Sequence, residues 1–261
     1  MVEGRRELEH CLAAGFQLRT LFVCPEICPD KGAGLLKADA LLEKPFPQEA
    51  MNKADAPWRN GFSGEVEPLV VEIPEALYRK VAYRESTEGI IAEVAYKSLE
   101  LKDLRLPENP LVMVLESVEK PGNLGAVLRS ADAARADAVL VCDPLTDLYN
   151  PNLIRASIGA VFTVPTIACS SEDAIRFLQE NGIQILTAQL QDSSLYYDTD
   201  MRRGTALVMG TESTGLTDSW RKAATAHIRI PMLGRLDSLN VSVSAAILLF
   251  EAVRQRQGGA I

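Results

Sequence analysis

LVMVLESVEKPGNLGAVLRSADAARADAVLVC, residues 111–142, decides the fold. LVMVLES is a buried-strand run, and Pro121-Gly122 makes a turn after it. Asn123 is a good N-cap for a helix reaching about Arg135, on which Leu124, Val127, Leu128 and Ala131 form an apolar stripe. AVLVC is a second buried strand, closed by Asp143-Pro144. Two strands apolar on both faces with a helix between them are a parallel crossover. Downstream the alternation continues. Strands are expected at AVFTV (160–164), IQILTAQ (183–189), ALVMG (206–210) and HIRIP (227–231), and helices near 172–181 and 240–256. The last helix is apolar nearly all round from Val243 to Phe250, which predicts deep burial. The expectation for 110–261 is an α/β domain with a parallel sheet covered on both faces.

Upstream the pattern differs. Residues 97–109 are charged and proline-bounded and read as a linker. Residues 1–96 read as a smaller α+β domain: an amphipathic helix over 4–20 carrying Leu8, Cys11, Leu12 and Gly15 on one side, then a strand from Leu21 to Cys24. Prolines, glycines and charges are scattered from about Pro25 to Pro68. VEIPEALYRKVAYRESTEGIIAEVAY (71–96) then gives a strand, a proline-started helix, a Ser-Thr turn and a strand ending near Ala95. Nothing repeats at a fixed period.

The 261 residues are 47% hydrophobic and 24% charged, which excludes a disordered chain and a disulfide-stapled mini-protein. No apolar run reaches transmembrane length, because serines and Glu251 interrupt the longest, 241–253. MVEGRRELEHC carries charge straight into a helical pattern with no apolar signal core, so a cytoplasmic protein is expected. The net charge of −8 argues against a general nucleic-acid binder and leaves any RNA contact to local clusters such as Arg202-Arg203, Arg221-Lys222 and Arg254 with Arg256. Five cysteines without framework spacing read as free thiols, and no metal site is expected. With only His10 and His227, a histidine-dependent triad is disfavoured. Neither G-x-G-x-x-G after a strand nor G-x-x-x-x-G-K-[ST] occurs, which disfavours a dinucleotide or P-loop enzyme.

Three segments carry chemistry. In EKPGNLGAVLRSADA (119–133) a helix N-terminus follows a strand and offers unpaired N–H groups. Arg129 lies roughly 140° around that helix from Leu124. In ALVMGTESTGL (206–216) a strand ends at Gly210 and a loop with Thr211, Glu212 and Gly215 follows, where open α/β sheets bind ligands. In IRIPMLGRLDSLNVSVSAAILLFEAVRQR (228–256) a strand leads through a loop to a helix starting near Asn240, with Ser238 and Asn240 at its head. Each segment also fits a capped helix or a glycine turn. Spacing alone gives a site and no reaction.

Together, N-L-G-A-V-L-R (123–129), M-G-T-E-S-T-G-L (209–216) and I-P-M (230–232) leading to S-L-N-V-S-V-S-A-A (238–246) resemble the three motifs of the SpoU (TrmH-like) branch of the SPOUT superfamily. That family transfers methyl groups from S-adenosylmethionine to RNA ribose 2′-hydroxyls. Residues 2–16 and 85–95 are similar, less specifically, to its attached L30e-like RNA-binding domain. Residues 29–65 stand as an insertion, and Thr87-Glu88-Gly89 replaces the usual Pro-Gln-Gly turn.

The resemblance implies a deep trefoil knot in the C-terminal domain and a homodimer packed through it. It implies a catalytic group of Arg129, Asn123, Glu212, Ser238 and Asn240, and S-adenosylmethionine held by Thr187, Ala188, Met209, Gly210, Ile230, Pro231 and Leu239. A ribose 2′-hydroxyl is a poor nucleophile, so the enzyme aligns it and helps remove its proton. Arg129 is either the base or, being normally protonated, a phosphate and alkoxide binder with Ser238 assisting. The two-domain layout favours 23S ribosomal RNA as substrate. Transfer RNA, a non-catalytic RNA-binding role and a small-molecule α/β enzyme are the alternatives.

Overall fold

The computed structural model describes residues 1–30, 68–83, 88–211 and 214–257. The chain divides into two compact units, Met1–Ser98 and Leu99–Ile261.

The first unit contains β1 (Val2–Glu3), α1 (Arg5–Ala13), β2 (Leu18–Val23), β3 (Leu69–Glu72), α2 (Glu75–Val81) and β4 (Ile90–Val94). Its sheet runs β1-β4-β2-β3, with β4 antiparallel to β1 and β2, and β2 parallel to β3. Leu8, Cys11, Leu21, Tyr78 and Ile90 are fully buried. The helix expected over 4–20 stops at Ala13. Gly15 takes φ 79°, its N–H bonds the Leu12 carbonyl and Phe16 N–H bonds the Cys11 carbonyl, which is a Schellman ending. The chain is thereby free to start β2 three residues after that glycine. The Ser-Thr turn and most of the 29–65 insertion lie outside the described residues.

The second unit opens with a short 3₁₀ turn at Leu101–Asp103 and contains β5 (Leu111–Glu116), α3 (Pro121–Ala133), β6 (Ala138–Cys142), α4 (Pro151–Ser157), α5 (Ala160–Thr163), β7 (Thr166–Cys169), α6 (Ser171–Glu180), β8 (Gln184–Ala188), β9 (Ser194–Leu195), β10 (Thr205–Met209), α7 (Asp218–Ala223), β11 (Ala226–Arg229) and α8 (Val241–Arg256). The sheet order is β7-β6-β5-β10-β8-β11-β9 and every neighbouring pair is parallel. The α/β class expected for this unit is what forms. β5, β6 and β10 are buried at every position, as a sheet covered on both faces requires.

Three local expectations are corrected. AVFTV is not a strand: Ile158 and Gly159 both adopt left-handed φ, the chain reverses, and residues 160–163 form one helical turn. The strand is TIAC, one residue after Pro165, because a short buried apolar run fits either structure. Helix α3 starts at Pro121, with Lys120 as N-cap, so Asn123 is its third residue and not the cap; proline's fixed φ suits the first helical position. Finally, α8 is not buried all round. Val241, Ala245, Leu248, Leu249 and Ala252 are buried, while Val243 and Phe250 are each 48% exposed, because α8 rests on α3, β10 and β5 along one face only.

From the central neighbours β5 and β10 the sheet extends to β6 and β7 on one side and to β8, β11 and β9 on the other. The carboxyl ends of β5, β10, β8 and β11 therefore share one edge at a switch in strand order, where α/β sheets leave a crevice.

Candidate active site

The crevice is built from the loops that follow those strands. After β10 the chain folds back on itself: Thr211 and Gly215 pair as an isolated bridge, Gly215 N–H bonds the Thr211 carbonyl at 3.1 Å, and the Thr214 N–H bonds Thr211 Oγ1 at 3.0 Å. A Cβ on Gly210 would stand 2.4 Å from the carbonyl carbon and oxygen of Gly215, so only glycine allows this approach.

This loop, the ends of β8 and β11, and the 230–241 segment enclose a cleft of about 400 Å³. Met209, Ile230, Leu239 and Val241 give it apolar walls, and Arg221, Arg229 and Asp237 stand on its margin. A second hollow of about 180 Å³ adjoins it, lined by Ser117, Glu119, Lys120 and Asn123, and shares Gly210, Thr211 and Val241 with the first.

The helix heads of α3 and α8 meet beside the smaller hollow. Asn240 caps α8, its Oδ1 accepting from Ser242 N–H at 3.0 Å and from Ser242 Oγ at 2.6 Å. Its Nδ2 donates to Asn123 Oδ1 at 3.2 Å, joining residues 117 apart in sequence. Gly125, one turn into α3, presses on α4, where a Cβ would lie 2.5 Å from Ala156 Cβ. Ser238 lines the cleft and its hydroxyl donates to Asp237 Oδ1 at 3.2 Å.

Of the residues expected in catalysis, Asn123 lines the smaller hollow and is bonded to Asn240, which lines neither, and Ser238 lines the larger cleft. Arg129 does not join them: it is exposed on α3, six residues beyond Asn123, and lines neither hollow. Glu212 lies outside the described residues. Of the residues expected to hold the cofactor, Ala188, Met209, Gly210, Ile230 and Leu239 line the cleft. Thr187 does not. Strand alternation turns it away from the cleft-facing Ala188, and its buried hydroxyl sits 2.6 Å from His227 Nδ1. Pro231 likewise is not in the wall, whereas its neighbours Ile230 and Met232 are.

Sequence reasoning missed Leu190 and Gln191, which the rule of loops after strand ends would have found, while Arg221, singled out there only as part of a basic pair for RNA contact, also lines the cleft. On the β6 side of the same edge, the sulfurs of Cys142 and Cys169 are 3.9 Å apart. Their mutual hydrogen bond, reinforced by burial, pushes the Cys142 thiol up, and the same bond holds Cys169 down against its burial. Among the described residues no group of three His, Cys, Asp or Glu side chains is placed to hold a metal, and no helix is long and apolar enough to cross a membrane.

Comparison with known proteins agrees with this architecture. Residues 110–250 match the sequence profile of the SpoU rRNA Methylase family. The chain is 35% identical over 198 residues to the 23S rRNA (guanosine-2'-O-)-methyltransferase RlmB of Bordetella pertussis, a match spanning 74% of this chain and 79% of that protein. The crystal structure of an RNA 2'-O ribose methyltransferase superposes with a TM-score of 0.75 at 35% identity, covering 98% of this chain and 88% of that one. An AdoMet-bound rRNA methyltransferase from Sinorhizobium meliloti gives a TM-score of 0.78 at 28% identity, over 97% and 85% of the two chains. With its parallel sheet, its cleft at the strand ends and more than half its length matched by that profile, this chain belongs to the SpoU rRNA methylase family.

Proposed function

We propose that this chain is an S-adenosylmethionine-dependent RNA 2′-O-ribose methyltransferase acting on 23S ribosomal RNA. The observation that carries the reading is the pair of adjoining hollows at one sheet edge, bordered by the Asn123–Asn240 contact, in a chain of this family. The relatives support it: one is named for ribose methylation of guanosine in 23S rRNA and another is AdoMet-bound.

The residues fit the cofactor. A volume of about 400 Å³ lies within the range of ligand pockets. Met209, Ile230 and Leu239 offer apolar faces to an adenine, and the bare backbone at Gly210 and Gly215 lets N–H and C=O groups reach its edge. When bound, S-adenosylmethionine supplies an electrophilic methyl group carried on a sulfonium.

The smaller hollow takes the target ribose, with Asn123 and Asn240 orienting its hydroxyls. Ser238, whose proton is directed at Asp237, keeps its oxygen open to accept from the 2′-hydroxyl and pass a proton towards that carboxylate. Arg129 stands about 9 Å along α3 from Asn123, at 1.5 Å per residue, and its role is to bind a target phosphate and stabilise the developing negative charge. Glu212 completes the group by family resemblance.

The first unit serves as the RNA-binding module. A second copy of the chain covers the apolar side of α8, where Val243 and Phe250 are exposed, together with Leu233 and Leu236 of the preceding loop. A trefoil knot in this unit is part of the same reading, and the place of β10 between β5 and β8 with the return of α8 to α3 supports it. Calorimetric titration with S-adenosylmethionine, run beside labelled methyl transfer to unmodified total ribosomal RNA, tests the reading. Saturable binding with label in one large-subunit RNA is expected, and no binding at millimolar cofactor overturns it.

A further inference from the structure

We propose that Glu116, at the end of β5, is a positioning residue for the cofactor cleft: its buried carboxylate ties down the exit of the β10–α7 loop and so fixes Gly215 and Leu216 in the cleft wall. The inference rests on the reading of the cleft as the S-adenosylmethionine site.

Glu116 is 2% exposed and lines neither hollow, so it acts through another residue. A carboxylate removed from water is costly unless donors surround it. Its donors come from two places. Thr217 supplies two: its N–H to Oε2 at 2.9 Å and its hydroxyl to Oε1 at 2.7 Å. Ser171 approaches Oε1 at 3.4 Å, but the single proton of that hydroxyl is directed at Asp143 Oδ2, 2.6 Å away, and its oxygen accepts from Trp220 Nε1 at 3.0 Å. Thr217 is therefore the main partner. It is the N-cap of α7 and directly follows Leu216, Gly215 and Thr214, all of which line the cleft. The loop is closed at its start by the contact of Gly210 with Gly215, and at its end by this two-point bond. Leu216, 4% exposed, gives an apolar anchor beside the polar one.

Ser171 provides the internal control. It approaches the same carboxylate from α6, lines neither hollow, and also accepts from Trp220 on α7, three residues beyond Thr217. A merely structural role for Glu116 predicts that losing either partner has the same consequence. The tether predicts that only Thr217 matters to the cleft.

The test compares Glu116→Ala, Glu116→Gln, Thr217→Val and Ser171→Ala by calorimetric titration with S-adenosylmethionine, by thermal melting, and by amide hydrogen exchange at Gly215–Thr217 without cofactor. Glu116→Ala is expected to weaken cofactor binding about tenfold or more and Thr217→Val several-fold, as lost charge-assisted bonds do. Glu116→Gln rescues to within about threefold, because its oxygen can accept from the Thr217 N–H while its amide donates to the hydroxyl. Ser171→Ala lowers the melting temperature and leaves cofactor affinity unchanged. Exchange at Gly215–Thr217 rises in Glu116→Ala and Thr217→Val only. If Glu116→Ala does not fold, the Thr217→Val and Ser171→Ala pair decides. Equal weakening by those two, or unchanged exchange in Thr217→Val, overturns the tether. Failure of the wild-type protein to bind the cofactor overturns the site reading instead, and the exchange measurement still judges the tether.

Discussion

Replacing Gly210 by alanine puts the close approach beneath the cleft to a quantitative test. The added Cβ would stand 2.4 Å from the carbonyl carbon and oxygen of Gly215 and 2.6 Å from the Leu216 nitrogen, all backbone atoms that cannot rotate away. Ordinary contact needs about 1 Å more. Leu216 is 4% exposed in the core and Thr217 is held by Glu116, so the displacement falls on the cleft side of the loop. Overpacking of this kind costs about 1–3 kcal/mol. For a unit of this size that lowers the melting temperature by roughly 3–10 °C. Since the moved backbone lines the cleft, S-adenosylmethionine affinity should fall by tenfold or more. Gly122→Ala is the matched control, with nothing within 4 Å of its added Cβ, and should stay within about 0.5 kcal/mol of wild type. Melting curves and titration calorimetry on both variants read the outcome. A Gly210→Ala protein that melts and binds cofactor like wild type would refute the reasoning that this contact shapes the site.

Three further outcomes are expected. Arg129→Ala should keep cofactor affinity within twofold and lower methyl transfer about 100-fold or more, as loss of a charge-stabilising group does, and weakened cofactor binding would contradict its assignment to the RNA. Asn240→Ala removes the cap of α8 and the bond to Asn123; a loss of about 0.5–2 kcal/mol in chemical denaturation is expected, with a raised KM for RNA. Glu251, 9% exposed, accepts from Arg254 and Gln255, and the Arg254 bonds hold its carboxyl below the usual range. A lowered folded value means stabilisation that is full above the unfolded pKa of about 4.3 and fades as pH falls through the folded value. Because Arg254 is largely exposed, the contribution is about 1 kcal/mol or less, so Glu251→Gln should melt slightly below wild type at pH 7 and equal to it near pH 3.

Residues 111–142 were legible because both strands are apolar apart from the terminal Glu116 of β5, and the helix between them keeps a clean stripe. The strand end at Met209 was legible from the apolar run before it, and Ile230 directly follows β11. AVFTV was not, since its conformation depends on two left-handed residues before it, and a β-branched run carries no mark of that. The orientation of Thr187 depends on which way β8 presents its alternation, and β8 is buried on both faces, so composition gives no phase. Burial of α8 was overestimated because apolar content reports what a helix can bury, and the single chain covers only one side of it. Asn123 and Asn240 were chosen by motif, yet their contact follows from α3 and α8 meeting across the sheet edge. Glu116 was passed over entirely: a glutamate ending a buried strand resembles the polar stop of that strand until Thr217 is seen beside it.

The most direct test of the account is the chemical identity of the product. Unmodified large-subunit ribosomal RNA would be incubated with the protein and S-adenosylmethionine carrying a labelled methyl group, digested to nucleosides and analysed by mass spectrometry. The account predicts label in a single 2′-O-methylated nucleoside, mapped to one position, and label lower by about 100-fold or more with Arg129→Ala. Label on a base, or no transfer by a protein that binds the cofactor, would contradict it.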